Sequence, residues 1–291
     1  MAWLQLKVRS SAAEADAVED ILLAAGAAAV TLEDSGDQPL FEPPIGTTPL
    51  WQDTTVVGLF NADIDVATAT QHINAALQPS EPLKFEILED KDWVRAWMDD
   101  YHPIQFGERL WICPSWCEPP QPEAVNLMLD PGLAFGTGTH PTTAMCMRWL
   151  DQQDLAGKTV WDYGCGSGIL AIAALLLGAA SASGNDIDPQ ALTASRDNAQ
   201  RNGIADEQFN LILGAPQDAE QVDVVVANIL AGPLVALSEG IASLCKPGGL
   251  LALSGILDTQ ANEIAECYSQ WFDIDPPTLT DEWVCITGRK R

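Results

Sequence analysis

The sequence predicts an α/β protein in which a doubly wound sheet follows a smaller α+β domain. From Pro141 onward, short apolar strands alternate with helical segments, the order of a parallel sheet covered by helices on both faces. One strand, at 159–161, runs directly into a glycine-rich turn and then into the apolar helix 169–177. The first ninety residues follow another order, with two helices among four strands. These patterns indicate two folding units of different class.

The N-terminal segment has the element order βαββαβ. Residues 3–9 alternate apolar and polar side chains with period two, which indicates a strand. Ser10 or Ser11 is suited to cap the following helix, and Gly26 to end it. The predicted elements are strand 3–9, helix 12–25, strands 28–33 and 54–60, helix 65–77 and strand 83–88. This order predicts a ferredoxin-like domain, which serves either recognition and assembly or a purely structural purpose.

A connecting region leads from this domain to the larger one. In it we predict a helix at 92–100 and strands at 101–106 and 109–113. Beyond it we predict helices 141–150, 169–177, 189–202, 233–244 and 259–271, and parallel strands 159–161, 182–187, 209–213, 222–227, 250–254 and 283–287. The chain therefore divides into a ferredoxin-like domain over 1–90, a connector over 91–130 and a doubly wound domain over 131–291.

The chain is strongly acidic, with a formal net charge of −27 over 291 residues. The charge is spread evenly, because residues 1–100 hold 18 acidic and 5 basic side chains and the remainder hold 23 and 9. Nucleic-acid binding needs lysine and arginine to neutralise phosphates, so no direct nucleic-acid binding is expected. The charge indicates either long-range attraction of a basic protein partner or simple solubility.

No pattern for export, membrane insertion or metal binding is evident. The longest apolar stretch, 169–180, is shorter than the ~20 residues that span a bilayer. The N-terminus lacks a basic-then-apolar signal pattern, and the seven cysteines are scattered, as reduced thiols are. Cys113 and Cys117 have no second cysteine pair nearby, so we expect buried thiols and no metal site. His102 precedes a proline and is interpreted as structural. We expect a cytoplasmic protein.

The most informative motif is the turn Asp162-Tyr-Gly-Cys-Gly-Ser-Gly168. Glycines allow positive φ and let a ligand approach the backbone, and the following helix offers unpaired N–H groups. In the dinucleotide fingerprint G-x-G-x-x-G the third glycine comes one residue later. The shorter spacing favours a ligand with a ribose and a charged amino-acid tail but no phosphate, and S-adenosylmethionine is such a ligand. We therefore predict cofactor contacts at Gly164 and Gly166.

Three acidic residues are candidates for further contacts. Asp186 ends the second strand about twenty residues after the glycines, where a carboxylate can bind both ribose hydroxyls. Asp188 competes for this role, but Asp188 followed by Pro189 is typical of a helix cap and first turn, so Asp186 is favoured. Asp162 either faces the ligand's ammonium group through water or holds N–H groups of its own turn. The sequence leaves both roles of Asp162 open.

Asn228 ends the fourth strand, beside the expected position of the sulfonium. Its side-chain oxygen can orient a nucleophile there, although a strand-end turn residue is the alternative. Enzymes that methylate planar base nitrogens commonly carry Pro-Pro-aromatic after this position. Ile229 and Leu230 stand there instead, which favours an aliphatic amine as acceptor.

The loop 130–143 precedes the first helix of the larger domain. Its glycines and threonines suit a lid over the pocket, and Thr143 is placed to reach the cofactor. His140 is either a base or a helix-capping residue, and the sequence does not decide between them.

Together these motifs resemble the S-adenosylmethionine-dependent methyltransferases of the Rossmann-like class. Segments 133–143, 162–168 and 228–233 are similar in particular to the bacterial methyltransferases of ribosomal protein L11, and the similarity covers nearly the whole chain. It implies methylation of the N-terminal α-amine and of lysine side chains of that protein. It also implies that the N-terminal domain recognises the substrate and moves relative to the catalytic domain. Asn185 departs from the family pattern, in which an aliphatic residue precedes the acid.

By matching motif, the resemblance places cofactor contacts on Thr143, Gly164, Asp186 and Asn228. No general base is identified, and Asn228 is the one candidate for orienting the substrate amine. We expect a monomer that acts on a basic ribosomal protein. The alternatives are a methyltransferase for another protein or a small molecule, and a non-catalytic binding module, which Asn228 disfavours.

Overall fold

The computed structural model describes residues 3–36, 38, 40, 47–79, 82–88, 102–130 and 140–291. The chain divides into two compact units, Met1–Asp99 and Asp100–Arg291, and each unit has a hydrophobic core of its own. The predicted domain boundary at residue 90, the predicted helix 92–100 and most of the predicted lid, 131–139, lie outside the described residues. None of the described helices has the length and apolar character needed to cross a membrane.

The N-terminal unit is a four-stranded antiparallel sheet in the order β2-β3-β1-β4. This is the strand order of the predicted ferredoxin-like unit. β3 lies between β1 and β2 of the first βαβ unit, and β1 lies between β3 and β4 of the second. Alternate residues of β1, such as Leu6 and Val8, point into the core with Phe60 and Ile73. The elements are β1 Trp3–Ser11, α1 Ala15–Ala24, β2 Ala29–Asp34, β3 Asp53–Asn61, α2 Val66–Leu77 and β4 Phe85–Leu88.

The second unit is built around an eight-stranded sheet. Its order is β10-β9-β8-β11-β12-β15-β13, with β14 paired to β15. The elements are α3 Pro141–Asp151, β8 Thr159–Tyr163, α4 Ile169–Leu176, β9 Ser181–Asp186, α5 Pro189–Arg201, β10 Phe209–Leu213, β11 Val222–Asn228, α6 Ala231–Ala236, α7 Ser238–Leu244, β12 Cys245–Leu257, α8 Ala261–Tyr268, β13 Phe272–Ile274, β14 Thr278–Thr280 and β15 Trp283–Lys290. The predicted doubly wound fold is confirmed, and the sheet has buried clusters on both faces.

The prediction that all strands are parallel is wrong at one edge of this sheet. β8 to β12 pair in parallel, but β15 runs antiparallel to β12, β13 and β14. β14 and β15 are joined by the two residues Asp281 and Glu282, and Asp281 has φ 53°. A two-residue turn with positive φ joins antiparallel strands, so β15 enters the sheet in the reverse direction. The three-residue strands β13 and β14 were not predicted.

Residues 102–130 form a small sheet that packs within the second unit. Its strands are β5 Ile104–Phe106, β6 Leu110–Cys113 and β7 Val125–Met128, in the order β5-β6-β7. Phe106, Leu110 and Leu127 join the same core cluster as α3 and α4. Strand β7 was not predicted.

Two further elements differ from the prediction. The predicted helix 233–244 begins at Ala231 and is divided into α6 and α7 at Leu237, whose φ of −106° and ψ of 8° leave the helical region. Pro233 lies inside the first turn of α6, where a missing N–H breaks no helical hydrogen bond. The predicted strand 250–254 is part of the longer strand β12, which begins at Cys245 and whose register against β11 shifts between Val222 and Val224.

Candidate functional site

The candidate site lies at the carboxyl ends of the three adjacent strands β9, β8 and β11. In a doubly wound sheet ligands bind outside this edge. The turn after β8 holds Gly164, Gly166 and Gly168 with φ of 73°, 54° and 77°, a region that only glycine adopts readily. The N–H groups of Gly164 and Cys165 donate to the carbonyl oxygen of Asn185 in β9, at 2.8 and 2.9 Å. The glycine turn is therefore fixed to the neighbouring strand.

Asp186 lies at the end of β9 directly beside this turn. Its Oδ2 accepts a hydrogen bond from the N–H of Gly166 at 2.9 Å, and its Oδ1 accepts from the N–H of Asp188 at 3.0 Å. Asp188 itself is the N-cap of α5, because its Oδ1 accepts from the N–H of Gln190 at 2.8 Å. The structure gives Asp188 the capping geometry and leaves the carboxylate of Asp186 next to the glycines.

Thr143 and Asn228 meet although 85 residues separate them. The Nδ2 of Asn228 donates to the Oγ1 of Thr143 at 3.1 Å. Thr143 is fully buried in the first turn of α3, and Asn228 is half-buried at the end of β11. Because Thr143 belongs to a rigid helix, this hydrogen bond fixes the orientation of the Asn228 amide.

Asp162 is buried under the glycine turn, with 1% of its surface exposed. Its Oδ2 accepts from the N–H of Ala171 in the first turn of α4 at 3.1 Å. The pKa of Asp162 is raised to about 7, mainly by burial and to a smaller extent by the nearby charge of Asp186, while the hydrogen bond from Ala171 opposes the rise. The one backbone N–H that Asp162 is shown to hold belongs to α4 and not to the glycine turn, so the role in which it faces the ligand's ammonium group stays a prediction.

His140 caps the N-terminus of α3. Its Nδ1 accepts from the N–H of Thr142 at 3.4 Å and lies 2.8 Å from the Oγ1 of Thr142. The ring packs edge-on against Trp283 with centroids 4.8 Å apart. Burial lowers the pKa of His140, and the charge of Glu282 partly opposes this shift. His140 thus has the capping geometry, one of the two roles that the sequence leaves open.

Asn185 was noted in the sequence for its departure from the family pattern. Its side chain is buried, with 3% of its surface exposed. The Nε1 of Trp161 donates to its Oδ1 at 2.8 Å, and its Nδ2 donates to the carbonyl oxygen of Gly214 at 3.1 Å. A buried amide with both ends paired carries little penalty, so Asn185 joins β8, β9 and the end of β10.

Sequence reasoning missed an apolar part of this edge. Ile187, directly after Asp186, is 88% exposed, Leu213 at the end of β10 is 58% exposed, and Leu230 after β11 is 47% exposed. Large exposed apolar side chains beside polar ligand groups suit a planar ring such as a purine. For Ile187 the sequence does carry a signal of this surface, because a branched apolar residue directly follows the polar residue that ends a strand.

Two sets of hydrogen bonds anchor Met128 and Asp130 at the end of β7. The side chain of Asn202 pairs with both backbone groups of Met128, accepting from its N–H at 2.7 Å and donating to its carbonyl at 2.8 Å. The carboxylate of Asp130 accepts from the N–H and Oγ of Ser115 at 2.7 and 2.9 Å.

No group of three potential metal-binding side chains occurs in the described part of the chain. Cys113 is buried and its thiol donates to the Oδ1 of Asn126 at 3.7 Å. Burial raises the pKa of Cys113. His102 is exposed, next to the undescribed residues 91–101.

The chemistry of this edge fits S-adenosylmethionine. Asp186 offers a carboxylate for vicinal hydroxyls, Ile187 an apolar surface for a ring, and the glycine turn a backbone without Cβ atoms. The hydrogen-bonded pair of Thr143 and Asn228 lies at the adjoining end of β11. An acceptor for hydroxyls, an apolar surface and a polar amide are groups that a ligand with a ribose, a planar base and a reactive end requires.

Comparison with known sequences decides the family. The profile described as Ribosomal protein L11 methyltransferase (PrmA) matches residues 2–291. The chain belongs to the ribosomal protein L11 methyltransferase family. It is therefore an S-adenosylmethionine-dependent methyltransferase, as the sequence predicted, with S-adenosylmethionine as the methyl donor.

Individual members of this family are similar over their whole length. The ribosomal protein L11 methyltransferase of Shewanella amazonensis is 58% identical over 296 residues, covering 100% of this chain and 99% of the relative. That of Aeromonas hydrophila is 59% identical over 292 residues, with the same coverage. The crystal structure of ribosomal protein L11 methylase from Lactobacillus delbrueckii subsp. bulgaricus is 35% identical with a TM-score of 0.60, over 66% of this chain and 100% of that one.

Proposed function

We propose that this methyltransferase transfers methyl groups to the N-terminal α-amine and to lysine ε-amines of ribosomal protein L11. The hydrogen bond between Asn228 and Thr143 is the observation that carries the proposal. With the Nδ2 of Asn228 donating to Thr143, the Oδ1 of the same amide is the atom left to accept from an amine. Ile229 and Leu230, in place of a base-stacking aromatic, suit the aliphatic surroundings of such an amine.

Cofactor contacts are proposed for five residues that the fold brings to one edge. Gly164 and Gly166 provide close backbone approach, Asp186 binds the ribose hydroxyls, and Thr143 with Asn228 borders the reactive methyl. Bound S-adenosylmethionine supplies an electrophilic methyl group on a sulfonium. The role of Asn228 is to hold the lone pair of the amine in line with that methyl, and positioning of this kind accounts for a large part of a barrier.

The amine must reach Asn228 in its neutral form. Neither the amide of Asn228 nor the hydroxyl of Thr143 can accept a proton near neutral pH. An α-amine has an ordinary pKa of about 8 and a lysine of about 10.4, so we expect methylation of both to speed up as pH rises, the α-amine at lower pH.

Substrate recognition is proposed for the N-terminal unit. The elements between Trp3 and Leu88 form a ferredoxin-like fold, and no catalytic constellation occurs among the described residues of this unit. The net charge of −27 favours encounter with a basic ribosomal protein by long-range attraction. The division into a recognition domain over 1–90, a connector over 91–130 and a catalytic domain over 131–291 is part of this proposal. So are a monomeric state, a cytoplasmic location and the absence of direct nucleic-acid binding.

Mass spectrometry of purified ribosomal protein L11, incubated with this chain and S-adenosylmethionine, tests the acceptor directly. We expect mass gains in steps of one methyl group, with peptide maps placing them on the N-terminus and on lysines. Parallel incubation with a cell lysate and a metabolite pool covers the alternative acceptors. Label in another protein or a small molecule, with none in L11, would contradict the proposal.

A further inference from the structure

Ile229, the residue after Asn228, lies between two glycines of the neighbouring strands. β11 is flanked by β8 and β12, and its last pairs are Ala227 with Tyr163 and Asn228 with Ser254. In the chain, Gly164 comes directly after Tyr163 at the end of β8, and Gly255 comes directly after Ser254 in β12. Both glycines have positive φ, at 73° and 84°.

Both glycines are in such close contact with Ile229 that no other residue fits. A Cβ atom on Gly255 would lie 2.3 Å from the carbonyl oxygen of Ile229 and 2.7 Å from its carbonyl carbon. A Cβ atom on Gly164 would lie 2.3 Å from the Cγ2 methyl of Ile229. Non-bonded carbon atoms need about 3.5 Å, so either Cβ would displace Ile229. Gly255 contacts its backbone, whereas Gly164 contacts its side chain.

A β-bulge in β12 produces the contact at Gly255. The register between β12 and β15 shifts between Leu253 and Ile256, so Ser254 and Gly255 lie where the partner strand has a single residue. The Oγ of Ser254 donates to the carbonyl oxygen of Val284 at 3.0 Å and fixes the bulge to β15. Bulges bend a strand locally and re-aim side chains next to active sites.

We propose that Gly255 and Gly164 are positioning residues that set the direction of the Asn228 side chain by fixing Ile229. Asn228 and Ile229 share a peptide group, so a shift of the Ile229 backbone turns the Asn228 amide relative to Thr143. This inference rests on the proposed function, in which Asn228 orients the substrate amine. It assigns to the bulge of β12 a part in methyl transfer, although neither glycine contacts the amine.

The substitution Gly255→Ala tests the inference, with Gly248→Ala as a matched control. Both glycines lie in β12 with positive φ, 84° and 75°, a region that alanine adopts only at a cost in free energy. A Cβ at Gly248 has no neighbour within 4 Å, so the control lacks the contact with Ile229. Methyl transfer to L11 is measured per folded molecule, and affinity for S-adenosylhomocysteine is measured by calorimetry.

We expect Gly255→Ala to lower kcat at least about tenfold, with cofactor affinity within about threefold of wild type, because a positioning defect raises the barrier and not the cofactor Kd. Gly248→Ala is expected to lose thermal stability but to keep its kcat. Equal kcat values for the two variants would overturn the inference. A kcat loss in Gly255→Ala that follows weaker cofactor binding would overturn it as well.

A second comparison remains informative if Gly255→Ala fails to fold. The substitution Ile229→Ala removes the methyl that opposes Gly164 but leaves the backbone that opposes Gly255. In a wild-type background Gly164→Ala is expected to lower kcat at least about tenfold, and in the Ile229→Ala background it is therefore expected to lower kcat by a clearly smaller factor. The loss that remains there reports the backbone strain and the cofactor contact of Gly164 itself. Absence of this rescue would contradict the contact-based role of Gly164.

The inference and the proposed function fail in different ways. A wild-type chain that leaves L11 unmethylated would contradict the proposed function. A wild-type chain that methylates L11, with Gly255→Ala matching Gly248→Ala, would contradict the positioning role alone.

Discussion

Asn228 Nδ2 lies 3.1 Å from Thr143 Oγ1, a hydrogen bond that joins the end of β11 to the first turn of α3. In the proposed function, it orients the amide so that its oxygen is available to an amine. We predict that Asn228→Ala slows methyl transfer to L11 by about 100-fold, since an orienting hydrogen bond is lost at the transition state. Cofactor affinity is expected to change less. Single-turnover kinetics, with exposed Asn210→Ala as control, measure this.

Thr143→Val removes the hydroxyl but keeps the shape of the side chain. Because Thr143 acts on the amine through Asn228, the effect of Thr143→Val on the single-turnover rate at saturating cofactor is expected to be absent when Asn228 is already alanine. Additive losses in the Thr143→Val and Asn228→Ala pair would contradict this coupling.

Asp186 and Asp188 are predicted to differ in what their removal affects. Asp186→Ala removes the carboxylate beside Gly166, so affinity for S-adenosylhomocysteine is expected to fall at least about tenfold, as for loss of a charged hydrogen-bonding group. Asp188→Ala removes the N-cap of α5 and is expected to cost about 1 kcal/mol of stability with little change in affinity. Calorimetry and thermal unfolding separate the two effects. Unchanged affinity in Asp186→Ala would reassign the ribose contact to Asp188.

Ile187 is predicted to serve the cofactor and not the fold. Its side chain is 88% exposed, so Ile187→Ala is expected to leave the thermal midpoint within about 2 °C of wild type. If it covers one face of the adenine ring, affinity for S-adenosylhomocysteine falls several-fold. Leu279→Ala, on β14 and 55% exposed, is the matched control. Equal affinities in the two variants would exclude Ile187 from the pocket.

Asp162 predicts a distinct pH dependence of stability. Burial raises its folded-state pKa to about 7 from the ordinary 3.8, so the folded protein keeps a proton between these values that the unfolded chain has lost. The stabilisation is complete below about pH 4 and decreases as pH rises toward 7, by at most about 1.4 kcal/mol per pH unit.

Asp162→Asn cannot ionise but retains an oxygen for the N–H of Ala171. Its free energy of unfolding is therefore expected to fall less than that of wild type between pH 4 and 7. Urea unfolding across this range measures the difference, with Asp188→Asn as control. Parallel pH profiles for wild type and Asp162→Asn would contradict a raised pKa.

Local patterns were enough to predict the fold and the strand ends that carry the site. The order of strands and helices after Pro141 places Gly164, Asp186 and Asn228 at one edge, because parallel strands with crossover helices end on the same side. The antiparallel β15 was missed because its direction depends on the two-residue turn at Asp281 and on two three-residue strands. Such short strands have no readable periodicity.

Contacts across long sequence separations were not predictable. The pairing of Trp161 with Asn185 explains the unusual asparagine, but nothing near either residue indicates it. The capping role of His140 depends on the distance from its ring to the N–H of Thr142. The contact of Ile229 with Gly255 arises from a bulge that has no sequence signature beyond the glycine.

The most direct test compares Asp186→Ala with Asn228→Ala in a single turnover of methyl transfer from pre-bound S-adenosylmethionine to purified L11. It asks whether Asp186 acts in cofactor binding and Asn228 in positioning the amine. At saturating S-adenosylmethionine, Asp186→Ala is expected to recover most of its rate because its defect is in binding. Asn228→Ala is expected to stay about 100-fold slow at any cofactor concentration because its defect is in positioning. Two results would contradict the role of Asn228 in orienting the amine. One is recovery of the Asn228→Ala rate at high cofactor, and the other is an Asn228→Ala rate equal to that of the wild-type chain.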